Sequence, residues 1–146
     1  MEPVDVMMKW MNDGGPVMWP ILVLSVVGLA IVFDRLWAFH RFFRGKSDAS
    51  GTPQARLNRL QRGFGVLSTI ISAEPMLGIL GTVTGIIQTF GAFRVADASA
   101  PLAATAGIGE ALITTAAGLV AALMLLFPYN FLLGLLARAA ERLEGE

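Results

Sequence analysis

Residues 14–33 read GGPVMWPILVLSVVGLAIVF, and this stretch without a charged residue decides the fold. Its 20 residues are about the number that a helix needs to cross a hydrocarbon core of roughly 30 Å. Two further stretches have the same character: 63–93, where Glu74 is the only ionisable residue, and 98–137, where Glu110 is the only one. Because hydrocarbon offers no partners to backbone amides, the sequence predicts an all-α membrane protein with three transmembrane helices.

The composition excludes several other classes of protein. Of the 146 residues, 55% are hydrophobic and 15% are charged, which is too little charge for a soluble globular domain. Eleven basic and eleven acidic residues give a net charge of zero, so nucleic acid is not a predicted partner. The chain has no cysteine and a single histidine, His40, and we therefore predict neither a metal site nor a cofactor.

The apolar stretches and the segments between them predict a single membrane domain over residues 1–146. A short amphipathic helix comes first, because Val4, Met7, Met8 and Met11 recur at helical spacing before two glycines. The predicted elements are an interfacial helix at 3–12, transmembrane helices at 15–40, 66–93 and 106–140, a short connector at 41–62 and a turn at 94–105.

The basic residues predict the orientation of the chain in the membrane. The connector from Asp34 to Arg62 contains seven lysines and arginines against two aspartates, whereas the segment before the first span contains one lysine and three acids. Since cytoplasmic segments carry the excess of basic residues, the N-terminus is expected outside and the C-terminus inside. The acidic first residues do not indicate a cleaved signal peptide. A second interpretation of the basic connector is contact with anionic membrane lipid.

Small and polar residues follow one face of the second span, and a similar set forms a surface of the third. These positions are Glu74, Gly78, Thr82, Gly85 and Thr89 in the second span, and Gly107, Glu110, Ala111, Thr114, Thr115, Gly118, Ala121 and Ala122 in the third. Small residues allow helix backbones to approach, and we assign Gly78, Gly81, Gly85 and Gly118 to helix packing. The first span is bulky and apolar, which is typical of a helix that faces lipid.

Two carboxylates within the apolar stretches are the candidate functional groups. A carboxylate in the membrane costs several kcal/mol unless it meets water, a partner or a proton, and neither later span contains a lysine or arginine. We therefore expect an oligomer in which the second and third spans face inward. The predicted proton route runs from Glu110 past Thr82 and Thr115 to Glu74. The alternatives are a solvated Glu110 at the outer interface, a Glu74 that caps a helix start before Pro75, and threonines that serve only packing.

Several motifs in this chain resemble those of the MotA/TolQ/ExbB proton channel family, most closely its ExbB and TolQ branch. The motifs are GGPVMWP at 14–20, LGILGTVTG at 77–85, GEAL at 109–112 followed by Thr115, GLVAA at 118–122 and PYN at 128–130. The resemblance implies a subunit of a motor in the bacterial inner membrane that is driven by the proton motive force. It also implies a pentamer around the helices of two ExbD- or TolR-like single-span subunits, with a TonB- or TolA-like protein as a further partner.

The same resemblance implies roles for individual residues. The glutamate of the third span and the threonines of the second and third spans line the proton path in that family, which corresponds to Glu110, Thr82 and Thr115 here. Two features depart from the family pattern: the connector is much shorter than the usual cytoplasmic domain, and Glu74 stands where a small apolar residue usually precedes the proline. We predict that Glu74 extends the proton exit.

The expected function is energised transport or envelope maintenance driven by proton flow. The alternative is a passive homo-oligomeric scaffold or pore without proton coupling. An intramembrane hydrolase is not supported, because His40 lies in the basic connector and the two glutamates are expected toward opposite membrane faces. We therefore do not expect an enzyme.

Overall fold

The structure, a computed structural model, describes residues 14–45, 52–93 and 100–145. This part of the chain consists of four helices without any strand: α1 (Met18–Phe43), α2 (Pro53–Gln61), α3 (Phe64–Phe93) and α4 (Ala100–Glu144). Three helices, α1, α3 and α4, are long and apolar enough to cross a membrane. The predicted all-α architecture with three transmembrane helices is confirmed, and the predicted interfacial helix at 3–12 lies outside the described residues.

Glycines begin and end α1. Gly15 has a φ of 67° and its carbonyl oxygen accepts from the Met18 N–H at 3.1 Å, which starts the helix. At the other end Gly45 has a φ of 68° and its N–H donates to the Phe42 carbonyl at 3.1 Å. Glycine adopts this left-handed conformation without a steric penalty, so both ends of α1 are set by the sequence.

A short helix, α2, brings the connector back to the bundle. Thr52 caps it by accepting the Ala55 N–H at 3.3 Å, and Pro53 occupies the first turn, where its missing N–H costs nothing. The helix is amphipathic and buries Leu60. After Gly63, whose φ is 84°, the chain enters α3.

The longest helices, α3 and α4, form the central antiparallel pair. Proline lies inside each of them, Pro75 in α3 and Pro128 in α4, and both helices continue through it. Since α3 begins at Phe64, Glu74 lies well inside the helix. The interpretation of Glu74 as the cap of a helix start is therefore wrong.

The hydrophobic core is concentrated at the end of the bundle where α2 lies. Its most buried side chains come from three helices: Phe39 of α1, Leu67 of α3, and Leu125, Leu132 and Ala139 of α4. Much of the remaining apolar surface is exposed, for example Met76 at 70% and Phe127 at 73%. Large exposed apolar side chains on three helices fit a protein that is surrounded by lipid or by further chains.

Candidate functional site

Glycines bring α3 and α4 into backbone contact. A Cβ atom added to Gly118 would lie 2.5 Å from the Glu74 carbonyl oxygen and 3.0 Å from Gly78 Cα. A Cβ added to Gly78 would lie 3.1 Å from Thr115 Cα, and one added to Gly85 would lie 2.7 Å from the Ala111 side chain. No larger side chain fits at these positions, so the close approach depends on glycine.

These contacts fix the register of the two helices. Gly118 lies opposite Glu74 and Gly78, Ala111 lies opposite Gly85, and Gly107 lies opposite Thr89. Glu110 is therefore near the level of Gly85, and Thr115 is at the level of Gly78. Along α3 the levels of the two carboxylates differ by about eleven residues, or roughly 16 Å of helix rise.

Glu74 is fully enclosed within the chain. Its side chain has no exposed surface, and the Ser25 hydroxyl of α1 donates to its Oε1 at 2.8 Å. The same hydroxyl is 2.8 Å from the Ile21 carbonyl oxygen, so its one proton has two acceptors. Glu74 Oε2 is buried without a hydrogen-bond partner among the described residues. A carboxyl group held in this way needs a proton of its own or a further donor.

Glu110 is only partly buried and lies beside the glycines that precede α1. A Cβ added to Gly15 would overlap the Glu110 carboxylate. The Thr114 hydroxyl is 2.6 Å from the Gly14 carbonyl oxygen and holds this glycine segment against α4. The segment therefore forms one wall beside the carboxylate.

The two candidate threonines differ in their hydrogen bonds. Thr115 donates across the helix pair to the Gly78 carbonyl at 2.9 Å, with the Ala111 carbonyl of its own helix at 3.2 Å. Thr82 donates within α3 to the Ile79 carbonyl at 2.6 Å. Both side chains are partly buried.

Thr82 and Thr115 lie near the same face of the α3–α4 contact, about one helical turn apart, whereas Glu110 points elsewhere. Thr115 contacts Gly78, and Thr82 follows Gly78 by one helical turn, so the threonines lie along the same edge of the α3–α4 contact. Glu110 precedes Thr115 by five residues and points about 140° away around the helix axis, toward Gly15. Glu74 lies a further turn along α3, against α1.

Two contacts at this site were not predicted from the sequence. Ser25 is the polar residue of the first span that meets Glu74, and Gly15 is the residue that meets Glu110. The only sequence signals were an isolated serine in an apolar stretch and a pair of glycines before a proline. Within residues 14–45, 52–93 and 100–145, no group of three histidine, aspartate or glutamate side chains could hold a metal ion.

Three long apolar helices, with one carboxyl group in each of the last two, define a multi-pass membrane protein. The family model of the MotA/TolQ/ExbB proton channel family matches residues 44–145, and the chain belongs to this family.

Relatives in several organisms carry the ExbB name. A putative biopolymer transport protein ExbB-like 1 of Synechocystis sp. is 31% identical, covering 84% of this chain and 68% of that protein. A putative ExbB-like 2 protein of Helicobacter pylori is 33% identical, covering 86% of this chain and 81% of that protein. The biopolymer transport protein ExbB of Pseudomonas putida is 41% identical, but the match covers 49% of this chain and 22% of that protein. No solved structure matches the chain.

The alignment with the Synechocystis protein also reports on chain length. It spans 174 positions, which is more than the 146 residues of this chain, because the relative has inserted residues that this chain lacks.

Proposed function

We propose that the chain is an ExbB/TolQ-like subunit of a proton channel or motor in the bacterial inner membrane. It works with an ExbD/TolR-like single-span partner and couples the proton motive force to energised transport or envelope maintenance. Membership of the proton channel family supports this role, as do relatives named biopolymer transport proteins. The observation that carries the proposal is Glu110, a partly exposed carboxylate in the third apolar span. Neither the second span (63–93) nor the third (98–137) contains a basic residue.

We infer an oligomer because a single chain has too few membrane helices to form a proton path. Three helices do not enclose a water-filled path, and the apolar surfaces of all three are exposed. We propose a homo-oligomer, a pentamer as the family resemblance implies, around the partner's membrane helices. In this arrangement the N-terminus lies outside and the C-terminus lies in the cytoplasm, and a TonB- or TolA-like protein receives the energy.

Within the assembly we propose that the proton passes Glu110 first. Its position beside Gly15 places it nearer the outer end of α4 in this orientation, where a neighbouring chain or water can reach it. The edge formed by Thr82 and Thr115 comes next. Glu74 is the innermost step, and because it is closed against Ser25, a proton reaches it only when α1 separates from α3.

A passive scaffold or pore is the second candidate function, and a specific observation favours it. The hydroxyl protons of Thr82 and Thr115 already have acceptors inside the chain. Threonines that serve only helix packing would be bonded in the same way. Proton flux separates the two functions.

The test is proton flux into liposomes that contain the chain together with an ExbD-like subunit from the same organism. A pyranine-type dye reports acidification under an imposed potential. Glu110→Gln removes the titratable proton at nearly constant volume, and we expect flux to fall to the level of empty liposomes. Glu141→Gln is the matched control, because Glu141 is an exposed carboxylate near the end of α4. Equal flux in wild type and Glu110→Gln would leave the scaffold.

A separate variant tests the innermost step. Glu74→Gln keeps a hydrogen-bonding side chain beside Ser25 but cannot carry a proton. We expect a lower proton flux in the same liposome assay. Assembly, measured by size-exclusion chromatography, should be the same as in the wild type. Unchanged flux would restrict Glu74 to a packing role and leave the rest of the route intact.

A further inference from the structure

Four arginines from two separate segments line one cavity at the connector end of the bundle. Arg35 and Arg41 come from α1, and Arg56 and Arg59 come from α2. The cavity has a volume of about 230 Å³, and its other lining residues are Ala38, Phe42 and Leu60. The lining therefore combines four arginines with an apolar wall, and one of the four, Arg35, is ion-paired with Asp34.

The fold fixes two of these arginines in place. Arg35 donates through Nη1 to the Arg59 carbonyl oxygen at 2.9 Å, which joins α1 to α2. Its Nε also donates to Asp34 at 3.0 Å. The Arg56 guanidinium lies over the Phe42 ring, 5.6 Å from its centroid. Held side chains lose less conformational entropy when an anion binds, and this favours a specific site.

The arrangement is more specific than membrane topology requires. A basic connector orients the chain wherever its charges lie, because only their number on one side matters. Here the fold brings two pairs of arginines to one cavity. The pairs come from different helices, and their nearest members, Arg41 and Arg56, are 15 residues apart in the sequence. The exposed Arg41 of α1 and Arg59 of α2 line the same cavity, so an anion bound there can meet the charges of both helices.

The depth of the cavity identifies the source of that anion. Arg35 is the first basic residue after the uncharged stretch 14–33, so it lies where hydrocarbon gives way to lipid headgroups. Arg41 is six residues further along α1, about 9 Å beyond it. Trp37, 67% exposed, lies between them, and tryptophan is enriched at this level of a membrane.

We propose that this cavity binds the phosphate of an anionic membrane lipid. The guanidinium groups of the exposed Arg41 and Arg59 donate paired hydrogen bonds to the phosphate oxygens, which is the geometry that arginine favours. Phe42, Ala38 and Leu60 contact the apolar part of the same lipid. The proposal depends on the membrane location of the chain and not on proton transport.

Lipid retention on the purified chain, without any partner subunit, tests the site. The protein is exchanged into detergent with equal amounts of phosphatidylglycerol and phosphatidylcholine of identical acyl chains, and bound lipid is counted by native mass spectrometry. We expect wild type to retain phosphatidylglycerol with a preference of about tenfold, as charge-assisted hydrogen bonds supply. The double variant Arg41→Gln/Arg59→Gln removes two exposed cations of the cavity and should lose this preference.

The matched control is Arg138→Gln/Arg142→Gln, which removes two exposed arginines of α4 that do not line the cavity. It should retain the wild-type preference within about twofold, because a specific site and not overall charge binds the lipid. Equal losses in both double variants would overturn the proposal in favour of a diffuse basic surface. Displacement of the lipid by millimolar inorganic phosphate would also overturn it, since the site would then recognise a free anion. Failure of the flux experiments has no bearing on this measurement.

Discussion

Glu74 and Glu110 belong to the same helix pair, but their surroundings differ in what encloses them. The fully buried Glu74 carboxyl accepts from Ser25 of α1, and the backbone carbonyl of Glu74 faces Gly118 of α4. Glu110 lies partly exposed beside Gly15, at the end of the pair where a glycine segment and not a helix covers it. The chain encloses the Glu74 carboxyl and leaves the Glu110 carboxyl partly exposed, so only the Glu110 carboxyl is open to contact with another molecule.

The largest effect is expected from a substitution at Gly118, which tests the close helix contact beside Glu74. Gly118→Val drives two methyl groups into the backbone of Glu74 and Gly78, and we expect a loss of about 3 kcal/mol in the free energy of unfolding. Gly134→Val is the control, because Gly134 is exposed and has nothing within 4 Å of an added Cβ. Unfolding in mixed SDS micelles measures both, and equal losses would contradict the close contact.

The outer region is tested at Gly15, with Gly45 as a matched control. Both glycines have a φ near 68°, so alanine at either position costs about 1 kcal/mol of left-handed strain. Only at Gly15 does the new Cβ meet the Glu110 carboxylate, which raises the expected loss to about 2 kcal/mol. Gly15→Ala should also reduce proton flux in liposomes, while Gly45→Ala should leave it unchanged. Equal flux would show that the glycine segment does not position Glu110.

Ser25→Ala removes the donor from Glu74 in the closed region. A buried carboxyl that loses its partner destabilises the fold by about 1 kcal/mol or more. Ser72→Ala is the control, since the exposed Ser72 bonds only to the Ser68 carbonyl of its own helix. If Ser25→Ala lowers the free energy of unfolding by the same amount in a Glu74→Leu background, the hydrogen bond between Ser25 and Glu74 is not the cause of the loss.

The smallest effect is expected between the two regions, at Thr115. Thr115→Val preserves the shape but removes the bond to the Gly78 carbonyl, and such bonds between membrane helices contribute about 0.6 kcal/mol. Thr69→Val serves as the control, because Thr69 is exposed and bonds to Gly65 in its own helix. A difference of zero between the two would assign Thr115 no role in holding the helices together.

The sequence was sufficient for the helices because length and lack of charge are local properties. The uncharged stretch 14–33 identifies α1, and the glycine spacing at Gly78 and Gly85 identifies the face of α3 that meets α4. The start of α4 was less clear. The turn predicted at 94–105 overlaps the helix, which begins at Ala100 with Pro101 in its first turn, where proline is tolerated.

The site was harder to predict because it depends on how helices are rotated against each other. Ser25 and Glu74 are 49 residues apart, and α1 is apolar on all sides, so no periodicity shows which face turns inward. Thr115 and Glu110 share a helix, yet their directions around it separate them. A list of polar residues in the spans therefore identifies the candidates but does not show which of them share one path.

The length of α4 has a mechanical consequence. Its 45 residues extend about 68 Å, more than twice the hydrocarbon thickness, and α2 is attached to its far end. For a rigid rod of this length that tilts about its midpoint, a tilt of about 5° moves each end by roughly 3 Å. A displacement of one end of α4 is therefore accompanied by an opposite displacement of similar size at the end against which α2 packs.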